Sequence, residues 1–128
     1  MTMPAEYFET RFRLETPVLH WPKEFVIVSA YPTTGECWSD DVILEADQRL
    51  ERELKQHYDW LVRITGYSPT TGHAEPSWAF VMPLSAACDL GLRYKQDAIY
   101  HIKGDVLSVT YCDGRRKLVT VGEFRSRL

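Results

Sequence analysis

The chain has 128 residues, of which 45% are hydrophobic and 26% are charged, and its formal net charge is −3. A chain of this length forms one domain and can bury a core without disulfides or a metal, so a disordered or fibrous protein is excluded. The acidic balance argues against nucleic acid as a partner, because proteins that bind the phosphate backbone are normally basic.

The three cysteines, Cys37, Cys88 and Cys112, are widely spaced and contain no Cys-x-x-Cys pair. Reduced thiols of this kind are typical of a cytoplasmic protein, and they predict neither a disulfide framework nor a zinc site. No apolar run approaches the roughly 18 residues of a membrane-spanning helix. We therefore expect a cytoplasmic location, no membrane contact, no metal and, without a nucleotide-binding motif, no cofactor.

The predicted elements begin with an N-terminal arm, residues 1–24, which contains one helical turn and an extended aromatic segment. The continuous apolar run Phe25–Ala30 predicts the first strand, either central or covered on both faces. Ser39 or Asp40 caps the first helix, which is expected from about Asp41 to Tyr58 with one apolar stripe.

The remaining elements follow from alternation and turn signals. Strands are expected at 60–65, 78–82, 98–102, 106–111 and 118–121, and a second helix is expected from Ser85 to about Tyr94. Small residues such as Gly91 allow this helix to lie close to the sheet. Residues 25–121 are therefore predicted to form a single domain, and residues 122–128 a frayed or loosely docked tail.

The order β-α-β-β-α-β-β-β predicts an α+β protein. Its first six elements match a two-layer ferredoxin-like split β-α-β sheet, mainly antiparallel, with two main helices. The last two strands would add an extra C-terminal hairpin. In this topology the first two strands run in parallel, so their carboxyl ends share one edge of the sheet.

Polar loops collect at that edge. The loops after Tyr31 and Tyr67 both contain Pro-Thr-Thr-Gly, which is also ordinary turn chemistry. The two tyrosines are expected to stack on a ligand, Glu75 and Gln96 to form hydrogen bonds, and Arg93 to meet an anion. The candidate ligand-binding residues are Tyr31, Thr33, Tyr67, Thr70, His73, Glu75, Ser77, Arg93 and Gln96.

Catalytic alternatives remain open. Cys37 precedes a helix and would be a nucleophile if His73 faced it, although an unreactive loop thiol is the favoured interpretation. Glu75 would pair with Asp40 or Asp41 as acid and base, but helix capping accounts for both aspartates. The sequence therefore leaves open whether a bound ligand reacts.

Short motifs carry a family resemblance. They are Ser29-Ala30-Tyr31-Pro32, the acidic helix start that follows, Gly66-Tyr67, Glu75-Pro76-Ser77 and Gln96-Asp97-Ala98-Ile99. Over about residues 25–112 the chain resembles a bacterial family catalogued as domain of unknown function 3293. The resemblance implies a small bacterial cytoplasmic protein without an assigned chemistry.

We thus expect a small polar ligand, nucleotide- or sugar-like, at the loop edge. The alternative is a protein–protein interaction module without catalytic activity, with a protein partner in place of a small molecule. A concave pocket with converging polar groups would favour the first, and an exposed apolar strip without a pocket the second.

Overall fold

A computed structural model of the protein describes residues 3–31, 39–57 and 59–128. Seven strands, three α-helices and a 3₁₀ helix at Arg125–Arg127 occur in this part of the chain. The strands are β1 (Arg11–Leu14), β2 (Glu24–Ser29), β3 (Leu61–Tyr67), β4 (Ala74–Phe80), β5 (Ala98–Lys103), β6 (Val106–Tyr111) and β7 (Val119–Glu123). The helices are α1 (Glu6–Glu9), α2 (Asp40–His57) and α3 (Leu84–Arg93).

The strands form one sheet in the order β1-β3-β4-β2-β5-β6-β7, and each pairing between neighbours is antiparallel. Because β2 and β3 are both antiparallel to β4, which lies between them, they run in the same direction. Their carboxyl ends therefore meet at one edge of the sheet. The starts of β4 and β5 lie at the same edge.

The predicted α+β class is confirmed, but the predicted ferredoxin-like architecture is wrong. A two-layer ferredoxin-like split β-α-β sheet has helices on one face and leaves the other face open, whereas this antiparallel sheet curls into a half-barrel with three helices. The curl encloses a second core on its concave side, which includes Phe12, Phe25 and Phe124. Helices α2 and α3 cover the opposite face, where Leu50 and Leu90 are buried.

The two ends of the chain close the curled sheet. The Arg127 guanidinium donates to the carbonyl oxygens of Phe8 and Thr10 at 2.9 and 3.0 Å. The ring of Phe12 in β1 lies 5.7 Å from that of Phe124, whose side chain is almost fully buried. The expectation of a frayed or loosely docked tail is therefore wrong, because the tail supplies part of the core and binds the N-terminal arm.

Helix α2 begins and ends within one residue of the prediction. The Ser39 hydroxyl oxygen accepts a hydrogen bond from the backbone N–H of Val42, as expected of an N-cap residue. Inside the helix, Asp47 is buried and forms an ion pair with Arg63 of β3 at 2.7 Å. None of the helices in the described residues is long and apolar enough to cross a membrane.

Helix α3 packs closely on the sheet, as the small residues predict. A Cβ atom placed on Gly91 would lie 2.7 Å from the Cys112 sulfur, so only glycine fits there without a shift. The helix begins at Leu84, one residue before the predicted capping residue Ser85, and Pro83 occupies its N-cap position.

Strand β4 begins earlier than predicted. It was expected at 78–82, but pairing with β3 starts at Ala74 and includes Pro76 opposite Thr65. The segment between the predicted strands at 60–65 and 78–82 is therefore a tighter hairpin, whose loop is Ser68–His73. Glu75 and Ser77 are consequently strand residues, and their side chains lie on the same face of the sheet.

Candidate functional site

A cavity of about 500 Å³ opens on the concave side of the sheet, where β2 and β3 end and β4 and β5 begin. Its floor includes Ser29 and Ser77, which are directly opposite each other in the β2–β4 pairing. Tyr7 and Thr10 of the N-terminal arm lie over it. The elements that close the curl thus also form one wall of the cavity.

Strand alternation determines which side chains face this cavity. Ile27 and Ser29 of β2 share one face, and Glu75 and Ser77 of β4 share the same face. Gly66 of β3 is paired with Glu75. A Cβ atom on Gly66 would lie 3.4 Å from Thr10 and 3.6 Å from the Phe12 ring, so the absence of a side chain lets the arm approach.

Glu75 is held at the mouth of the cavity. Its side chain is 25% exposed, and its Oε1 atom lies 3.5 Å from Nε2 of His73, whose side chain is 70% exposed. Burial raises the pKa of the Glu75 carboxyl above its ordinary value, and the neighbouring His73 partly opposes that shift. The cavity therefore contains a carboxyl group with incomplete hydration.

Tyr100 fixes the arm above the cavity. Its hydroxyl lies 2.9 Å from the Tyr7 carbonyl oxygen and 2.8 Å from the Thr10 hydroxyl, and its proton is shared between these acceptors. Burial raises the pKa of Tyr100 to about 12. Burial, followed by the charge of Asp97, also raises the pKa of Tyr7. Both phenols are neutral at physiological pH.

Five of the nine predicted site residues line the cavity: Tyr67, His73, Glu75, Ser77 and Gln96. Gln96 is almost completely buried, and its Nε2 donates to the carbonyl oxygens of Tyr31 at 2.6 Å and Tyr94 at 3.0 Å. The amide nitrogen of Gln96 therefore fixes the chain after β2 against the turn after α3.

Other predicted residues lie elsewhere. Arg93 forms a two-pronged ion pair with Glu53 of α2, at 2.6 and 3.1 Å, on the helical side of the sheet. Tyr31 and Thr70 are not among the described residues that line the cavity. Thr33 lies outside the described residues.

The residues proposed for catalysis are not brought together. Asp40 and Asp41 form the first turn of α2, and neither lines the cavity that contains Glu75. Cys37 lies outside the described residues, so its pairing with His73 stays a prediction. No group of three His, Cys, Asp or Glu residues suited to a metal ion occurs within 3–31, 39–57 and 59–128.

Sequence reasoning missed several lining residues: Tyr7, Thr10, Ser29, Asp97 and Tyr100. The alternation of β5 placed Tyr100 on one face of the sheet, but it gave no sign that the N-terminal arm would meet that face. Asp97 directly follows Gln96 and was visible in the same motif.

Comparison with known protein families yields a match. The model of a family described as a protein of unknown function, DUF3293, matches residues 29–99, which is more than half of the chain. This segment contains the cavity residues of β3 and β4, whereas Tyr7, Thr10 and Tyr100 lie outside it. No curated protein and no solved structure matches the chain.

Proposed function

The chain belongs to the DUF3293 family of proteins of unknown function, and we propose that it binds a small polar molecule in the concave cavity. The observation that carries this proposal is the cavity itself. Its volume of about 500 Å³ lies within the range of roughly 300–1,000 Å³ that is typical of small-molecule sites.

The lining combines surfaces for two parts of such a molecule. Phe12, Ile27 and Tyr100 provide apolar contact for a ring, and Glu75 and Ser77 provide hydrogen-bonding groups beside it. No Lys or Arg occurs among the described lining residues. Of the nucleotide- or sugar-like ligands expected from the sequence, those without a phosphate group therefore fit best.

An interaction module without a small ligand is less well supported. The large exposed hydrophobic side chains include Leu19 in the arm, Leu44 in α2 and Val106 in β6. These residues belong to separate elements, and scattered exposed hydrophobics are normal on protein surfaces. The concave cavity with converging polar groups favours the small-ligand proposal.

A thermal-shift screen of nucleosides, sugars and small amines tests the proposal with three proteins. The first is the wild type, and the second is Ala98→Leu, in which a larger side chain fills the cavity. The third is Ala86→Leu, the same change at an exposed position of α3. A ligand at 100 times its Kd stabilises a protein by about 2.7 kcal/mol, which such a screen detects readily.

We expect at least one compound to stabilise the wild type and Ala86→Leu but not Ala98→Leu. If no compound stabilises the wild type, or if each stabilising compound acts equally on Ala98→Leu, the proposal is wrong.

A further inference from the structure

Three hydroxyl groups on the floor and roof of the cavity use their protons within the protein, and the Ser29 oxygen also accepts a hydrogen bond from the Tyr31 backbone N–H at 2.9 Å. Ser29 donates its proton to the Pro76 carbonyl oxygen at 3.3 Å, and Ser77 donates to that of Glu75 at 3.0 Å. Thr10 in the roof donates to the Glu6 carbonyl oxygen at 2.8 Å. Each of these protons goes to a backbone carbonyl group.

The two longer polar side chains follow the same pattern. Tyr100 shares its proton between the Tyr7 carbonyl oxygen and the Thr10 hydroxyl. Gln96 uses its Nε2 group for two backbone carbonyls. The protons of these five side chains are used within the protein, so among them a molecule that donates hydrogen bonds finds acceptor oxygens such as that of Ser77.

The charged side chains that line the cavity also favour a ligand that donates hydrogen bonds. Glu6, Glu75 and Asp97 line it, and His73 is the one basic side chain among the described lining residues. The two nearby guanidinium groups are engaged outside it: Arg13 lies over the Tyr67 ring at 4.5 Å, and Arg127 binds backbone carbonyls. Among the described lining residues, acidic side chains therefore outnumber basic ones by three to one.

We propose that the ligand carries a positively charged nitrogen, an ammonium or guanidinium group, which donates hydrogen bonds to the Glu75 carboxylate and the hydroxyl oxygens of the floor. An apolar or aromatic part of the ligand would lie against Phe12 and Tyr100. This inference rests on the proposed function, because it names the chemical class of the molecule that the cavity binds.

A cationic ligand would replace the hydration that the Glu75 carboxylate loses through burial. A partly buried carboxylate loses hydration, and a charged N–H donor at short distance replaces it with a strong hydrogen bond. The rings of Tyr7 and Tyr100 in the lining add faces of negative potential that attract a cation, whereas the Arg13 guanidinium already lies over the Tyr67 ring. An anion would face repulsion from the carboxylates and would find no Lys or Arg among the described lining residues.

Three probes of the same shape test the charge preference: phenethylamine, phenethyl alcohol and hydrocinnamate, which are cationic, neutral and anionic at neutral pH. Each is titrated into the isotopically labelled protein while amide chemical shifts are recorded, together with benzylguanidine as a second cation. We expect a cation to bind at least tenfold more tightly than the alcohol, and the anion to give no measurable binding.

Two variants, each of which removes one acidic side chain, show where in the protein the preference for a cation arises. Glu75→Gln should weaken binding of the cation at least tenfold, whereas Glu45→Gln, at an exposed position of α2, should leave it unchanged. Cation binding that Glu75→Gln or Ala98→Leu leaves intact would place the cation elsewhere and overturn the inference.

The outcomes separate this inference from the proposed function. If neutral compounds bind in the cavity as tightly as the cations, or if neutral compounds alone bind, the charge preference is wrong and the cavity remains a ligand site. If neither these probes nor any compound of the wider screen binds, both proposals are wrong.

Discussion

Glu75 occupies a position in which its negative charge opposes folding. Burial raises its pKa in the folded protein above the value in the unfolded chain, although His73 reduces the effect. For a carboxyl group with a raised pKa, the folded state holds its proton more tightly than the unfolded state does. Stability is therefore greatest below the unfolded pKa and is lost as the pH rises through the folded pKa.

Glu75→Gln should consequently make the unliganded protein more stable at neutral pH, because the amide carries no charge to desolvate. The gain should disappear at about pH 4, near the ordinary pKa of a glutamate, where the wild-type carboxyl is largely protonated in both states. Urea denaturation at the two pH values measures the difference. Glu15→Gln, at an exposed loop position, serves as the control, and a variant less stable than the wild type at neutral pH would contradict the prediction.

At the residue scale, the sequence predicted the location of a side chain wherever that location depended on the direction of a strand. Glu75 and Ser77 could be placed at the loop edge because the carboxyl ends of β2 and β3 had to meet there. Arg93 could not be placed, since its partner Glu53 lies on another helix and 40 residues away in the chain. Ion-pair choices of this kind leave no local pattern.

Helix α2 is attached to the sheet by a buried charge as well as by apolar contacts. Asp47 accepts two hydrogen bonds from Arg63, at 2.7 and 2.8 Å, and a third from the indole N–H of Trp78 at 3.2 Å. The Arg63 guanidinium also lies 4.3 Å from the centre of the Trp78 ring. Removing the carboxylate leaves a mostly buried guanidinium and an indole N–H without this partner.

Asp47→Ala should therefore lower the free energy of unfolding by about 3 kcal/mol, the usual cost of breaking one partner of a buried pair. Glu45→Ala is the matched control, because Glu45 pairs with Arg49 on the exposed side of the same helix at 3.2 Å. An exposed pair contributes about 0.2–1 kcal/mol. Urea denaturation of both variants gives the comparison, and equal effects would show that Asp47 is not the anchor.

At the element scale, periodicity predicted α2 and most strands, because both have a regular apolar pattern. The start of β4 was missed, since Pro76 reads as a residue that begins or ends a strand. Pro76 lies one residue beyond Ser77, which pairs with Ser29 as the last residue of β4 that is paired with β2. Gly91 was interpreted correctly, because a small residue in an otherwise regular helix indicates close packing.

At the scale of the whole molecule, the predicted ferredoxin-like architecture was wrong because the second core is assembled from the two ends of the chain. The run Phe25–Val28 did indicate a strand covered on both faces, and it is buried on both. What covers the concave face, however, includes Phe12 and Phe124, which are distant in sequence. Contacts of such long range follow from the closed shape and not from any local pattern.

Arg127 connects these two ends, so its loss should affect both stability and the cavity. Its guanidinium binds the carbonyl oxygens of Phe8 and Thr10, at sequence separations of 119 and 117 residues. These carbonyls belong to the segment of the arm that lies over the cavity.

Arg127→Ala should lower the free energy of unfolding by about 1.5–3 kcal/mol, the range for hydrogen bonds to a charged group. It should also speed amide hydrogen exchange in residues 3–14, because the arm loses its attachment to the tail. Arg125→Ala is the control: that side chain is exposed, lies 3.7 Å from Asp105 and makes none of the closing contacts described for Arg127. Equal stability of the two variants, with unchanged exchange in the arm, would contradict the prediction. The ends of the chain would then be held by the aromatic core alone, through rings such as Phe12 and Phe124, and not by the Arg127 guanidinium.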